Sequence, residues 1–256
     1  MRLFAEAFWL QKSGSAPAEY EDAYQPTQLP VGPDRSIADF RVAIADGAAE
    51  TSFSRLWAKL LVWSYVHQQR FEPDNFALSL QRAQKWWHKA LSHMALSWFA
   101  EEKVRSGAAA AFLGVHLRAG HCEVAEGSWD AIAVGDCCLV QLRDQQVVGR
   151  FPVVHSSEFS SRPFLLSSSA RASTGWRGHL RTTSGRWKPE DSLYLMSDAL
   201  AAWFMTEDEG GRAPWEALRD LGTAGDPSFS DWIGKLRSSN GLRNDDVTLL
   251  RIDLVV

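Results

Sequence analysis

The stretch VAIADGAAETSFSRLWAKLLV, Val42–Val62, decides how the chain is read. Its first half is a short apolar run that reads, with the preceding Asp-Phe-Arg, as a buried strand. The run stops at Asp46-Gly47. A few residues later Phe53, Leu56, Trp57, Leu60, Leu61 and Tyr65 recur at helical spacing. A helix is expected from Ser52 to Gln69, with Ser52 or Ser54 as its N-cap. The question is why a strand leaving the core should end on an acidic residue and a glycine.

Working outward, Leu3–Gln11 alternates loosely and reads as a first strand. One basic residue precedes its short apolar patch, and Glu6 interrupts it, so a strand is expected here rather than a secretory leader. Residues 13–35 form a long Pro-, Gly- and Ser-rich loop interrupted by YEDAY, Tyr20–Tyr24. Pro73-Asp74 opens a second helical stretch running to Arg105, with a break near Ser92. After Gly107 the texture changes to strand-like pieces, Ala108–Arg118, Trp129–Asp144 and Gln145–Val153, separated by turn signals. The Ser-rich segment His155–Gly175 reads as an irregular excursion. Asp191–Thr206 reads as a strand ending at Asp198 and turning into a helix. Trp215–Leu221 and Phe229–Ser238 read as short helices, and Asn244–Val255 as a closing strand. Helices and strands are grouped rather than alternating, which argues for an α+β fold with antiparallel sheets. There is no internal repeat and no linker, so a single domain over 1–256 is expected.

Composition narrows the function classes. The chain has 256 residues, 45% of them hydrophobic, enough to bury a large core. A net charge of −4 gives no basic footprint for nucleic acid. No apolar run approaches the roughly 18 residues of a membrane span. Neither a nucleic-acid nor a membrane partner is expected. Cys122, Cys137 and Cys138 make an odd count with two neighbours, which points to buried thiols in a reducing, cytoplasmic setting. Most of the twelve tryptophans should be buried or half-buried.

Four carboxylates stand at strand ends or turns: Asp22 in YEDAY, Asp46 in IADG, Asp198 in LMSDAL and Asp245 in RNDDVTLL. A fifth is Asp136 in AVGDCCLV. Singly, each is ordinary turn chemistry. Together they sit on apolar strands that lie side by side in a core, so their ends can converge. Converging carboxylates repel unless a cation sits among them. Oxygen ligands without His or Cys suit Mg²⁺ or Mn²⁺. Two such ions about 3.5–4 Å apart can activate a water for in-line attack on phosphorus. A glycine after Asp46 would let the backbone carbonyl approach a metal.

The ordered set YEDAY, VAIADG, VGDCCLV, LYLMSDAL and NDDVTLLRI resembles the metal-dependent protein phosphatases of type 2C, in their bacterial single-domain form. The resemblance implies a four-layer αββα sandwich, two antiparallel β-sheets flanked by helix pairs. It also implies a serine/threonine protein phosphatase with two, possibly three, Mn²⁺ or Mg²⁺ ions. Asp46 would bridge both ions and the Gly47 carbonyl would bind one. Asp198 and Asp245 would complete the other ion's shell, and Glu21 and Asp22 would act mainly through waters. Asp136 would share a third ion with Asp198. The nucleophile would be a water or hydroxide, with no phosphoenzyme. A monomer acting on a phosphorylated protein, a Ser/Thr kinase or its target, is implied.

The pattern departs from the family at several points. Ala48-Ala49 follow Asp46-Gly47 where members carry His-Gly-Gly or x-Gly-Gly, so the general acid of some members is missing; removing a positioned acid costs about 10²–10⁴ in rate. Ser-Asp-Gly is Ser197-Asp198-Ala199, and Gly-Asp-Ser is Gly135-Asp136-Cys137. Asp246 replaces an Asn and is expected to add charge near the metals. The phosphate-binding Arg is absent from SAPAE, Ser15–Glu19; Arg35, Arg41, Arg162 and Arg171 are candidates to replace it. These departures favour an alternative, a weak or inactive 2C-like fold that binds a phosphoprotein or kinase.

Other features read as structural. His116, His121 and Cys122 lack the partner pair a zinc site needs. Trp86 and Trp87 in KWWHK point about 100° apart on a helix, so they make no flat platform for bases. TEDEGG, Thr206–Gly211, reads as an exposed acidic turn, and His155 as a lone histidine.

Overall fold

A computed structural model describes residues 1–26, 32, 37–49, 51, 53–68, 73–94, 98–120, 126–160, 162–223 and 225–255. They form eleven strands and seven helices. The strands are β1 Arg2–Leu10, β2 Ala23–Gln25, β3 Asp39–Gly47, β4 Ala109–Ala119, β5 Gly127–Val134, β6 Cys138–Arg143, β7 Gln146–Phe151, β8 Leu166–Ser167, β9 Arg181–Trp187, β10 Ser192–Met196 and β11 Val247–Val255. The helices are α1 Ser54–Val66, α2 Pro73–Ser92, α3 Trp98–Ser106, α4 Trp176–His179, α5 Asp198–Glu209, α6 Pro214–Arg219 and α7 Pro227–Ser238.

The strands make two antiparallel sheets. The first has the order β1-β11-β10-β6-β7; the second has β2-β3-β4-β5-β9, with β8 paired to β4. Because successive side chains point to opposite faces, each strand feeds two cores. Leu3, Val42, Ile44, Leu113, Val115, Leu195 and Ile252 meet between the sheets. On the outer face of the second sheet, Ala43, Ala45 and Phe112 meet Trp57, Leu61 and Tyr65 of α1 and Phe76, Leu80 and Trp87 of α2. On the outer face of the first, Tyr194, Met196 and Leu249 meet Leu200 and Phe204 of α5, Leu218 of α6 and Ile233 of α7. The result is four layers, helices–sheet–sheet–helices. Burial on both faces explains why Val42–Ala45 reads as an unbroken apolar run instead of alternating.

Three expectations need correction or completion. Ser54, one of the two proposed serines, does not cap α1. Phe53 takes the N-cap place with a left-handed φ of 65° and no side-chain cap, Ser54 begins the helix, and Ser52 lies outside the described residues. The Ser54 hydroxyl instead donates to Glu21 Oε1. Thr206–Glu209 is the last turn of α5 rather than a free acidic turn. There Asp208 pairs with Arg150, Glu207 with Arg212, and Glu209 accepts from Ser156. The excursion His155–Gly175 is largely irregular, holding a 3₁₀ turn at Ser156–Glu158 and the two-residue β8, and strand β9 follows it.

Other features of the sequence have these places in the structure. The chain breaks after Ser92 between α2 and α3. Trp87 is buried, and Trp86 packs on Trp63 with ring centroids 4.5 Å apart. Cys137 and Cys138 are buried free thiols; His121 and Cys122 lie outside the described residues. His116 bonds to Asp39 at 2.9 Å, and His155 faces Glu209 at 3.5 Å. No helix among the described residues is long and apolar enough to cross a membrane.

Trp57 is fully buried between α1 and the second sheet, and its indole N–H donates to the Leu166 carbonyl at 2.8 Å. Trp57→Ala should lower unfolding free energy by about 3–5 kcal/mol, read from urea unfolding. A loss under about 1 kcal/mol would mean that α1 is not anchored there.

Candidate functional site

Strand register brings the acidic positions to one end of the sandwich. In the first sheet Leu10 pairs with Val247, Met196 with Leu249, and Met196 with Cys138. In the second sheet Ala23 pairs with Ala45, Gly47 with Ala110, and Val134 with Phe112. Antiparallel pairing therefore places the start of β2, the end of β3 and the end of β5 at the edge of one sheet. It places the end of β10 and the start of β11 at the edge of the other. The turn from β5 to β6 crosses between the sheets at this end and carries Asp136. Gly135 makes that turn with φ +95°, and a Cβ there would meet the Ala111 Cβ at 2.6 Å, so only glycine fits.

Asp22, Asp46, Asp136, Asp198 and Asp245 accordingly feel one another. Burial pushes the Asp46 carboxyl well above its ordinary range, and Asp22, Asp198, Asp136 and Asp245 push it further. Burial raises Asp22 as well, with Asp246 and Asp198 adding to the shift against a hydrogen bond from Thr248. Burial and Asp198 lift Asp136 to about 7. Asp245 is raised by burial and then by Asp198.

The supporting contacts are specific. Thr248 Oγ1 donates to Asp22 Oδ2 at 2.6 Å, and the Tyr20 hydroxyl bonds to Thr248. Ser197 and Thr248 exchange bonds: the Thr248 N–H donates to Ser197 Oγ at 2.9 Å and the Ser197 N–H to the Thr248 carbonyl at 3.1 Å. Asp198 opens α5, where the helix dipole favours a carboxylate. Glu21 takes the Ser54 hydroxyl and lies 3.5 Å from Lys12 Nζ. A Cβ on Gly47 would stand 2.6 Å from the Glu21 carbonyl oxygen, so glycine here lets the YEDAY segment close onto β3.

Asp246 adds its charge to the site, raising Asp22, and it has a second role that the sequence did not suggest. Its carboxylate accepts the Lys12 N–H at 2.8 Å and the Glu21 N–H at 2.6 Å, so it also clamps backbone. Among the arginines, Arg41 is bonded to the Gln68 carbonyl and lies 3.7 Å from Asp39 at the opposite end of β3. Arg162 and Arg171 are exposed in the Ser-rich excursion, and Arg35 lies outside the described residues. Among the described residues, Arg243 pairs with Asp198 and stands 3.3 Å from Asp245 Oδ2. Its place two residues before Asp245 was the only sequence signal for it.

The donor set suits a hard divalent cation: all oxygen, mutually repelling, with Asp22 Oδ1 and Asp198 Oδ1 buried and without a hydrogen-bond partner. Among the described residues, no three His, Cys, Asp or Glu side chains stand close enough together to form a ligand group by themselves.

Carboxyls raised by burial make the fold sensitive to pH. Between the ordinary Asp value of 3.8 and the folded Asp136 value of about 7, the folded chain binds more protons than the unfolded one. Stability should therefore fall as pH rises through that window when EDTA is present. Thermal unfolding from pH 4 to 8 reads this out, and a melting temperature that climbs across the window would contradict it. The Asp136→Asn variant should fall less.

Comparison with known proteins accords with this geometry. The family model described as Protein phosphatase 2C matches residues 21–246. The Mycobacterium tuberculosis serine/threonine phosphatase PstP/Ppp superposes with a TM-score of 0.63 at 15% identity, covering 100% of both chains. The PstP catalytic domain in complex with two manganese ions superposes at 0.60 and 16% identity, covering 99% of this chain and 100% of that one. PppA, a regulatory component of type VI secretion in Pseudomonas aeruginosa, does so at 0.57 and 15%, covering 99% and 98%. No curated protein matches in sequence. With one family model spanning most of its length, the chain belongs to the protein phosphatase 2C family.

Proposed function

We propose that residues 1–256 form a single metal-dependent phosphatase domain that hydrolyses phosphoserine and phosphothreonine in proteins, as a cytoplasmic signalling monomer. The observation that carries this reading is the crowd of carboxylates drawn from both sheets, two of whose buried oxygens have no partner. Asp46, the Gly47 carbonyl, Asp198 and Asp245 would hold two Mn²⁺ or Mg²⁺ ions, with Glu21 and Asp22 behind them and Asp136 at a third position. Such ions, when bound, supply charge that lowers the pKa of water and offsets the negative charge of a phosphoryl group.

The chain's own residues orient and enclose. Thr248, with Tyr20 behind it, fixes Asp22; Ser54 and Lys12 fix Glu21; Asp246 holds the backbone between them. A cleft of about 310 Å³ beside Glu21 is lined by Lys12, Ala49, Phe53 and Arg55. Glu19 and Glu21 line it too, and Lys12 is paired with Glu21, so its charges balance. Ala48 offers no proton to the leaving alkoxide, so that proton has to come from water.

A second reading, a non-catalytic module that binds a phosphoprotein or a kinase, is favoured by Ala48-Ala49 and by the pairing of Arg243 with Asp198.

Hydrolysis of p-nitrophenyl phosphate and of a phosphothreonine peptide, with EDTA, Mg²⁺ and Mn²⁺ in parallel, separates the two. Turnover is expected only with the ions, and Asp46→Ala and Asp198→Ala should each lower it at least about 10³-fold while circular dichroism stays unchanged. Retained ion-stimulated turnover in Asp46→Ala would sink the assignment. No turnover with calorimetric Mn²⁺ binding intact would establish the non-catalytic module.

A further inference from the structure

Arg243 is paired with two of the carboxylates proposed to hold the ions, and the way it is held suggests a role. The backbone around it is pinned at several points. Asn244 accepts the Ser13 N–H at 2.7 Å and donates to the Ser13 carbonyl at 3.2 Å. Arg237 of α7 donates to the Gln11 carbonyl at 3.0 Å and to the Asp245 carbonyl at 2.5 Å. Asp246 accepts the Lys12 and Glu21 N–H groups. Asp245 and Asp198 are thus presented from fixed backbone.

The Arg243 side chain, in contrast, is 55% exposed, and its partners among the described residues are the carboxylates of Asp198 and Asp245. The guanidinium holds Asp198 Oδ2 and Asp245 Oδ2 while Asp198 Oδ1 has no partner, so a divalent ion drawn to these two carboxylates would lie beside the guanidinium, and the like charges repel at short range. The guanidinium carries one positive charge on a long, rotatable stem, so it can leave without any backbone movement.

We propose that Arg243 is a built-in competitor for the acidic centre: its guanidinium bridges Asp198 and Asp245, and divalent ions enter only by displacing it into solvent. Arg243 would then set the ion concentration at which the centre loads, and hence the threshold for whatever the loaded centre does. This rests on the metal-dependent reading above, and goes beyond it by assigning a residue that controls loading.

The test measures ion binding instead of turnover. Mn²⁺ affinity of the full chain is read by titration calorimetry and by paramagnetic resonance of free Mn²⁺, for wild type, Arg243→Gln and Arg243→Lys, at 0.1 M and 1 M salt. Arg243→Gln should bind Mn²⁺ about tenfold more tightly, with Arg243→Lys between it and wild type, because an ammonium lacks the fork that spans two carboxylates. The gain should survive at 1 M salt, where a general field is screened beyond about 3 Å but direct exchange at the same two carboxylates is not. Equal or weaker binding by a folded Arg243→Gln, or a gain that vanishes at 1 M salt, would overturn the competitor role while leaving the metal centre standing. No Mn²⁺ binding by any of the three proteins would overturn the metal centre itself, and this proposal with it.

Discussion

Carboxylates confined together repel, and the end of the sandwich is built against that repulsion. Burial raises the cost of ionising Asp22, Asp46, Asp136 and Asp245, and neighbouring carboxylates, Asp198 among them, raise it further. Around them, neutral hydroxyls and backbone groups take the strain. Thr248 and Tyr20 hold Asp22, Ser54 holds Glu21, and Asp246 ties the 12–21 segment to the start of β11. Asp246 carries a charge and still serves the cluster, because two backbone N–H groups stabilise it and fix its direction.

The two closely buried faces of each sheet made the centre of the fold readable. Val42–Ala45 feeds both cores, so it reads as a continuous apolar run, and Asp46-Gly47 ends it at the sheet edge; β3 spans Asp39–Gly47 as the sequence suggests. The segment 181–187 was not legible as a strand for the opposite reason. It is an edge strand, mostly exposed, with Gly185 in its middle, and it pairs through its backbone with β5 while offering almost no apolar signal. Ser54, the first residue of α1, is no cap because its hydroxyl donates to Glu21, an acceptor distant in sequence.

The site divides the same way. The acidic positions were legible because each ends or begins a buried strand, and antiparallel register then brings such ends together. The roles of Asp246 and Arg243 were not, because local sequence does not say whether a charged side chain turns toward backbone donors or toward other charges. In RNDDV two adjacent aspartates look alike. One clamps N–H groups and its neighbour faces a guanidinium. Arg41 looked eligible by its nearness in sequence to Asp46, yet the extended strand carries it to the opposite end of the sheet.

The crossing at Gly135-Asp136 has a consequence for how the chain assembles. Asp22 and Asp46 belong to one sheet, Asp198 and Asp245 to the other, and the β5–β6 turn is a hinge between them at this end. Neither sheet alone gathers the full set of charges. Part of the repulsion arises within each sheet, since Asp22 is the leading charge on Asp46 and Asp198 the leading charge on Asp245. Closing the sandwich adds the pairs that face each other across it, Asp198 against Asp22 and Asp46, so sensitivity to pH and ionic strength is shared between the building of each sheet and their closure.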